Sequence, residues 1–84
     1  MTYYFTPSAV KDLKKLSKSV SKQILLKLDF YINSNDPLKF AKPIKDKRLG
    51  EFRFRIGDYR VIFDVNKKRG IIILAIGHRK DIYK

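Results

Sequence analysis

Apolar and polar positions alternate most clearly in the middle of the chain. Between residues 51 and 56, aromatic and aliphatic side chains alternate with charged ones, and a second stretch of this kind covers residues 59–65. This period of two predicts two strands, each with one buried and one solvent-facing side. Gly57-Asp58 lies between them and predicts a two-residue turn of type II′, because Gly at the first central position tolerates a positive φ.

Three arginines share one face of this predicted hairpin. A two-residue turn places Arg55 opposite Arg60 and Arg53 opposite Ile62. Two like charges directly opposite each other cost about 0.2–1 kcal/mol, so stability alone gives no reason for the arrangement. The pattern therefore predicts an anionic partner, and the alternative interpretation is a solvated basic strand.

Two helices are predicted ahead of the hairpin. Thr6 is a plausible N-cap with Pro7 at the first helical position, and Ser17 to Ser19 offers a second N-cap. The turn-forming residues 33–37 end the second helix. The predicted core stripes are Val10, Leu13 and Leu16 in the first helix, and Val20, Ile24, Leu28 and Ile32, joined by Leu25 and Tyr31, in the second.

The remaining segments complete an α+β fold in the order β-α-α-β-β-β. Residues 2–5 predict a first strand, and residues 71–76 predict a last strand buried on both faces, after a turn over residues 66–70. Residues 38–50 are interpreted as an irregular basic connection, because Pro43 argues against a central strand. We expect one domain over residues 1–84, with a mainly antiparallel four-stranded sheet and both helices on one face.

The register of the last strand assigns side chains to the two faces of the sheet. If Val65 faces Ile71, strict alternation places Ile76 opposite Arg60. The helices are then expected to cover Phe52, Phe54, Tyr59, Val61, Phe63 and Ile73, while the arginine face also holds Ile62, Ile72 and Leu74. The same register puts Glu51 opposite Asp64, so the far end of the hairpin is expected to fray or slip.

Composition points to a polyanionic partner. The 84 residues carry 20 Lys and Arg against 8 acids, a net charge of +12, which favours nucleic acid. All six arginines lie in the second half of the chain, and the planar Arg fork suits phosphate. Without cysteine, disulfides and thiolate zinc sites are excluded. No signal peptide or membrane span is evident, so we expect a soluble cytoplasmic protein that needs no metal or cofactor and binds no membrane.

The segment LGEFRFRIGDYR at 49–60, followed by IGHRKDIY at 76–83, resembles the RelE branch of the RelE/ParE toxin superfamily over essentially the whole chain. The resemblance implies a toxin of a type II toxin–antitoxin system, an endoribonuclease that enters the ribosomal A site and cuts the messenger RNA there. It also implies an acidic, partly disordered antitoxin as partner. We expect a hetero-oligomer with that antitoxin and a monomer when the toxin is free.

Family roles transfer only where positions match. Arg53 and Arg55 fall where the best-known RelE-type toxins carry catalytic lysines, and Arg60, Arg79 and Tyr83 match active-site positions of the family. Arginine cannot release its proton as lysine can. A general-base role at Arg55 has therefore moved elsewhere, or the position acts electrostatically.

Histidine is the side chain best suited to exchange a proton near neutral pH, so His78 is the candidate general acid or base. The alternative is a residue that caps the last strand. Strict register places His78 on the arginine face and Arg79 behind it, and a bulge at Gly77 would bring Arg79 into the site. Tyr83 is expected to stack on a base, to orient the 2′-hydroxyl, or to close the core.

Three further cations precede the hairpin. Lys45, Lys47 and Arg48 are interpreted as a phosphate-binding rim for RNA, with a merely solvated loop as the alternative. Three other readings of the whole chain stay open: a ParE-like toxin that poisons DNA gyrase, a non-catalytic basic nucleic-acid-binding module, and a toxin whose activity has decayed.

Overall fold

The computed structural model describes residues 2–68 and 70–83. Arg69, within the turn predicted over residues 66–70, lies outside the described residues. In chain order the elements are β1 (Tyr3–Phe5), α1 (Pro7–Lys14), α2 (Lys18–Ile32), a 3-10 turn (Pro37–Phe40), β2 (Ala41–Pro43), β3 (Phe52–Ile56), β4 (Tyr59–Asn66) and β5 (Gly70–His78).

The described strands form one sheet in the order β1-β5-β4-β3-β2. Strand β1 runs parallel to β5, and the other pairs are antiparallel. The predicted α+β class is confirmed, but the sheet has a fifth strand, because residues 41–43 pair with β3. Pro43 ends this edge strand, where a missing backbone N–H is tolerated. The prediction of an irregular connection was therefore wrong for these three residues.

Both helices begin at the predicted caps. The Thr6 side chain accepts a hydrogen bond from the Ala9 N–H, and the Ser17 side chain accepts one from the Val20 N–H, each at 3.2 Å. Such caps satisfy amides that have no partner within the helix. The predicted stripe of α2 is confirmed by its buried residues, Ile24, Leu28 and Ile32.

The predicted stripe of α1 needs one correction. The buried residue of this helix is Ala9, whereas Val10 is 37% exposed. Helix α1 packs against β5, and a small side chain at the contact lets a helix approach a sheet closely. The stripe predicted from large apolar residues missed Ala9 for that reason.

The helix-covered side of the sheet holds the main core. All six residues predicted for this side pack in that core, which confirms the assignment. Its centre is a row of aromatic rings in which Phe54 lies 4.4 Å from Phe63 and 5.0 Å from Tyr31, centroid to centroid. Such offset aromatic pairs add stabilisation beyond that of their buried area.

Strand β5 contains a bulge that changes its register. Asp64 and Phe63 pair with Ile72 and Ile73 as predicted, but Ile62 pairs with Ala75, so one residue of β5 is left without a partner on β4. From that point each side chain of β5 faces opposite to the strict alternation. The bulge turns Ile76 into the core at 3% exposure, where strict alternation would have placed it beside Arg60.

Two carboxylates that were expected to repel each other are both satisfied by backbone amides. The Glu51 N–H donates to Asp64 Oδ1 at 2.8 Å, and the Val65 N–H donates to Glu51 Oε1 at 2.9 Å. The β3–β4 register ends at the Phe52–Phe63 pair, and these side-chain contacts hold the segment beyond it. Among the described residues, no helix is long and apolar enough to span a membrane.

Candidate phosphate-binding site

The β3–β4 hairpin has the predicted turn and register. Gly57 has a φ of +59° and Asp58 does not have a positive φ, which is the pattern of a type II′ turn. Arg55 pairs with Arg60, and Arg53 pairs with Ile62. The three arginines therefore share one face of the hairpin, on the side of the sheet away from the helices.

These arginines line one concavity of about 270 Å³, which we call the arginine groove. Its lining residues are Phe40, Lys42, Arg53, Arg55 and Arg60. Within residues 2–68 and 70–83, the ion pairs that form involve other cations, namely Arg48 and Arg79. Four positive side chains thus line the arginine groove without a carboxylate to neutralise them.

Two of the arginines are anchored by backbone oxygens. Arg60 Nη1 donates to Gly57 O at 3.0 Å and to Tyr59 O at 2.9 Å, which ties this half-buried side chain to the hairpin turn. Arg53 Nη1 lies 3.5 Å from Pro43 O, a long hydrogen bond to the edge strand. Neutral backbone acceptors orient the guanidinium groups but leave their charge uncompensated.

Arg53 also lines a second, wider concavity of about 460 Å³, which we call the tyrosine groove. Its lining residues are Pro43, Ile44, Lys45, Asp46, Leu49, Arg53 and Tyr83. The two grooves meet at Arg53. Tyr83 is 43% exposed, so this residue is accessible from solvent.

Tyr83 reaches this side of the sheet because the chain folds back after β5. Gly77 pairs with Arg60, and a Cβ at Gly77 would come within 3.1 Å of Ile82 Cδ1. The absence of a side chain at Gly77 thus leaves room for Ile82 against the strand. The next residue, Tyr83, is then directed to the tyrosine groove.

The predicted phosphate-binding rim is divided by the structure. Lys45 lines the tyrosine groove, whereas Lys47 and Arg48 line neither groove. The Arg48 guanidinium donates to both carboxylate oxygens of Asp46 at 3.0 and 2.9 Å. This contact, together with a hydrogen bond from the Arg48 N–H, holds the pKa of Asp46 below its usual value. The same side-chain contact raises the pKa of Arg48.

His78 lies on the other side of the sheet from the arginines. It pairs with Tyr59, and the two rings meet edge to face at 5.5 Å, on the side that carries the core. The prediction that strict register brings His78 to the arginine face was wrong because the bulge lies near Leu74, several residues before the predicted position at Gly77. His78 Nδ1 accepts the Lys80 N–H at 3.1 Å, which fits the alternative of a residue that ends the strand.

Arg79 is held at the hairpin turn. Its N–H donates to Asp58 O at 2.8 Å, and its Nε lies 3.8 Å from Asp58 Oδ1, with both side chains largely exposed. An exposed pair at this distance contributes little stability. Arg79 is therefore next to the end of the arginine groove that Arg60 occupies, but it does not line the groove.

Sequence reasoning missed two residues of the arginine groove, Phe40 and Lys42. Lys42 pairs with Arg53 across β2 and β3, and Phe40 ends the 3-10 turn before β2. Their signal was weak, because a three-residue edge strand containing Pro does not show a period of two. Only the pairing with β3 reveals that Lys42 joins the arginine face.

The comparisons with known proteins agree over the whole length of the chain. Residues 3–83 match the family described as ParE toxin of type II toxin-antitoxin system, parDE. The chain belongs to the RelE/ParE toxin superfamily. It is a toxin of a type II toxin–antitoxin system, and the resemblance seen in its hairpin and C-terminal segment is confirmed.

Two relatives carry toxin names of the RelE kind. The toxin RelG of Mycobacterium tuberculosis is 32% identical over 84 residues, which cover 99% of this chain and 95% of the relative. The toxin RelE3 of Methanocaldococcus jannaschii is 37% identical over 86 residues, which cover 99% and 96%. Within the superfamily, these names favour the RelE branch.

Two solved toxin–antitoxin complexes contain a chain with the same fold. The RelBE2 complex of Mycobacterium tuberculosis contains a chain that superposes with a TM-score of 0.75 at 30% identity, covering 93% of this chain and 96% of that one. The RelB-RelE complex of Methanococcus jannaschii gives a TM-score of 0.71 at 34% identity, with 94% and 93% covered.

Proposed function

We propose that this toxin is a ribosome-dependent endoribonuclease that cleaves messenger RNA in the ribosomal A site and thereby inhibits translation. The observation that carries the proposal is the arginine groove, in which four cations lack a carboxylate partner within the described part of the chain. Tyr83 in the adjoining tyrosine groove adds a side chain with a transferable proton beside Arg53. A fold selected only for stability does not need this cluster of charge.

The reaction is attack of an RNA 2′-oxygen on the adjacent phosphorus. The 2′-hydroxyl loses its proton, the new P–O2′ bond forms, and the P–O5′ bond breaks. The products are a 2′,3′-cyclic phosphate and a 5′-hydroxyl end that has gained a proton. Arg53, Arg55 and Arg60 would bind the phosphate and stabilise the added negative charge of the transition state, a contribution of about 3–4 kcal/mol for one well-placed donor.

Proton transfer requires a group other than arginine. The Tyr83 hydroxyl and the Lys45 ammonium both line the groove beside Arg53, and both side-chain types serve as acids or bases in enzymes. His78 is placed differently: its carbonyl accepts the N–H groups of Asp81 and Ile82 at 2.9 and 3.0 Å. We propose that His78 positions the C-terminal turn that carries Arg79 and Tyr83.

The limited set of proton-transfer groups in the site supports the proposed dependence on the ribosome. Without a residue such as histidine in the arginine groove, the toxin has a modest set of proton-transfer groups. A ribosome that holds the messenger in a near-attack geometry would supply part of the barrier reduction by positioning. We therefore expect slow cleavage of free RNA and fast cleavage of the same RNA on programmed ribosomes.

We propose an acidic antitoxin as the partner that inhibits this toxin. The net charge of +12 would attract such a protein and speed its association. The solved relatives, which are toxin–antitoxin complexes, support this proposal. A salt titration of the complex, with affinity falling as ionic strength rises, would measure the electrostatic part.

A second candidate is a ParE-like toxin that poisons DNA gyrase. The family description that matches residues 3–83 names ParE, and this observation keeps the alternative in place. Induction of the toxin in cells separates the two functions. Translation arrest with messages cut inside codons, seen by mapping 5′ ends, supports the endoribonuclease, whereas induction of DNA damage with intact messages supports gyrase poisoning and would overturn our proposal.

A further inference from the structure

One aromatic side chain of the arginine groove, Phe40, has no role in the proposed cleavage reaction. Phe40 lines the groove together with the four cations. Its ring stacks on Tyr31 with centroids 4.6 Å apart and planes inclined by 21°. Since Tyr31 occupies one face of the ring, a ligand in the groove would have to bind the opposite face.

The core fixes the position of this ring. Tyr31 continues from Phe40 into the buried aromatic row, 5.0 Å from Phe54, and the Tyr31 hydroxyl donates to Arg55 O at 3.4 Å. Phe40 is therefore linked through Tyr31 to the buried aromatic row and at the same time lies in the wall of the arginine groove, with the exposed Phe30 ring 5.9 Å away. A ring held in this way needs no reorganisation before it binds a flat ligand.

One cation already contacts the Phe40 ring. Lys39 Nζ lies 5.2 Å from the ring centroid, a cation–π contact that is weak at exposed positions. A nucleobase stacks more strongly on an aromatic ring than such a contact holds an ammonium. A base can thus replace Lys39 at the ring.

We propose that Phe40 is the stacking platform for a nucleobase of single-stranded RNA whose phosphate lies among Arg53, Arg55 and Arg60. An aromatic ring beside cations that follow the backbone is the usual arrangement in proteins that bind single strands. Because every base has a π face, the platform orients a nucleotide without selecting its sequence. This inference rests on the proposed function, since it assumes that the anion in the arginine groove is RNA.

A single tryptophan tests the platform directly. The chain contains no Trp, so Phe40→Trp introduces a fluorophore at the proposed site, and Phe30→Trp provides the matched control. Phe30 is 60% exposed and lies 5.9 Å from Phe40, but it does not line the groove. Each folded variant is titrated at low ionic strength with a short oligoribonucleotide and with an abasic oligomer of equal length.

We expect the oligoribonucleotide to quench the fluorescence of Phe40→Trp in a saturable way. The abasic oligomer should quench this variant little, and the oligoribonucleotide should quench Phe30→Trp little. Binding detected by anisotropy of a labelled oligomer without quenching of Phe40→Trp would overturn the platform. Equal quenching by both oligomers, or no binding at all, would overturn it too.

Substitution without a fluorophore gives a second, independent readout. Phe40→Leu keeps an apolar side chain against Tyr31 but removes the stacking face, so affinity for the oligoribonucleotide should fall about 5- to 150-fold, while Phe30→Leu should leave it unchanged. Phe40→Tyr keeps an aromatic ring and should therefore bind the oligoribonucleotide with the affinity of the parent protein. If Phe40→Leu binds the oligoribonucleotide as tightly as the parent protein, stacking on Phe40 is contradicted. If the parent protein does not cleave messenger RNA on programmed ribosomes, the proposed function is contradicted instead.

Discussion

The two faces of the sheet differ in what packs against them. One face is covered by both helices and holds the main core, including Phe54 and Phe63 at 0% exposure. Among the residues that the structure describes, those that cover the other face lie at its two ends. At one end, Ile44 and Ile62 are buried outside the main core near the 44–50 loop. At the other end, Ile82 packs against Gly77. The arginine groove lies open between these two ends. Stability is therefore concentrated on one face, and the other face can carry unpaired charge.

The largest effect on folding is expected from truncation on the helix-covered face. Phe54→Ala removes a fully buried ring that stacks on Phe63 and contacts the Tyr31 ring at a tilt, so the free energy of unfolding should fall by about 3–5 kcal/mol. A domain of this size has only about 5–15 kcal/mol in total. Urea denaturation followed by circular dichroism measures the change, and a loss below 1 kcal/mol would contradict the assignment of Phe54 to the main core.

The largest effect on activity is expected on the other face. Arg60→Ala removes a groove cation that the backbone oxygens of Gly57 and Tyr59 hold in place. The single-turnover rate of messenger cleavage on programmed ribosomes should fall about 10²- to 10³-fold. Lys11→Ala, an exposed substitution in α1 that removes the same charge, is the control and should cleave at the parent rate. An equal loss in both variants would mean that net charge, not the groove, sets the rate.

A third substitution tests the packed end of the arginine face. A Cβ at Gly50, whose φ is +153°, would come within 2.6 Å of Ile62 Cγ2 and 3.0 Å of Leu74 Cδ1. Gly50→Ala should therefore lower the free energy of unfolding by about 1–3 kcal/mol. Thermal denaturation of the variant and the parent gives the value. An unchanged melting temperature would indicate that the 44–50 loop does not pack on this face as the structure has it.

Sequence predicted the hairpin better than it predicted the strand next to it. The turn at Gly57-Asp58 and the pairing of Arg55 with Arg60 are local, so residue type and a period of two were sufficient. The bulge in β5 depends on a tertiary choice, because burying Ile76 in the core requires one extra residue after Ile73. The three-residue spacing between these isoleucines was the available sign of a bulge. Because the strict register ignored it, His78 was assigned to the arginine face.

The other omissions also arose from pairing across the sheet. Lys42 becomes part of the arginine groove only through its position opposite Arg53, and Phe40 through its stacking on Tyr31. Neither contact leaves a pattern in the neighbouring sequence. In contrast, the caps at Thr6 and within Ser17–Ser19 were predicted correctly, because capping is a local hydrogen bond.

The smallest expected change in stability comes from relieving the paired arginines. Arg55 is exposed, and its guanidinium faces Arg60 across the hairpin. Arg55→Gln removes one of two like charges but keeps a polar side chain of similar reach, so the free energy of unfolding should stay equal or rise by about 0.2–1 kcal/mol. Denaturation in low and in high salt checks the cause, because screening should reduce the gain.

The same Arg55→Gln variant provides the most direct test of the division between the two faces. Its unfolding free energy and its rate of messenger cleavage on programmed ribosomes are measured on one preparation. We predict a cleavage rate at least about tenfold below that of the parent, together with equal or greater stability. Cleavage at the parent rate, or a loss of stability that accounts for the loss of cleavage, would contradict the account.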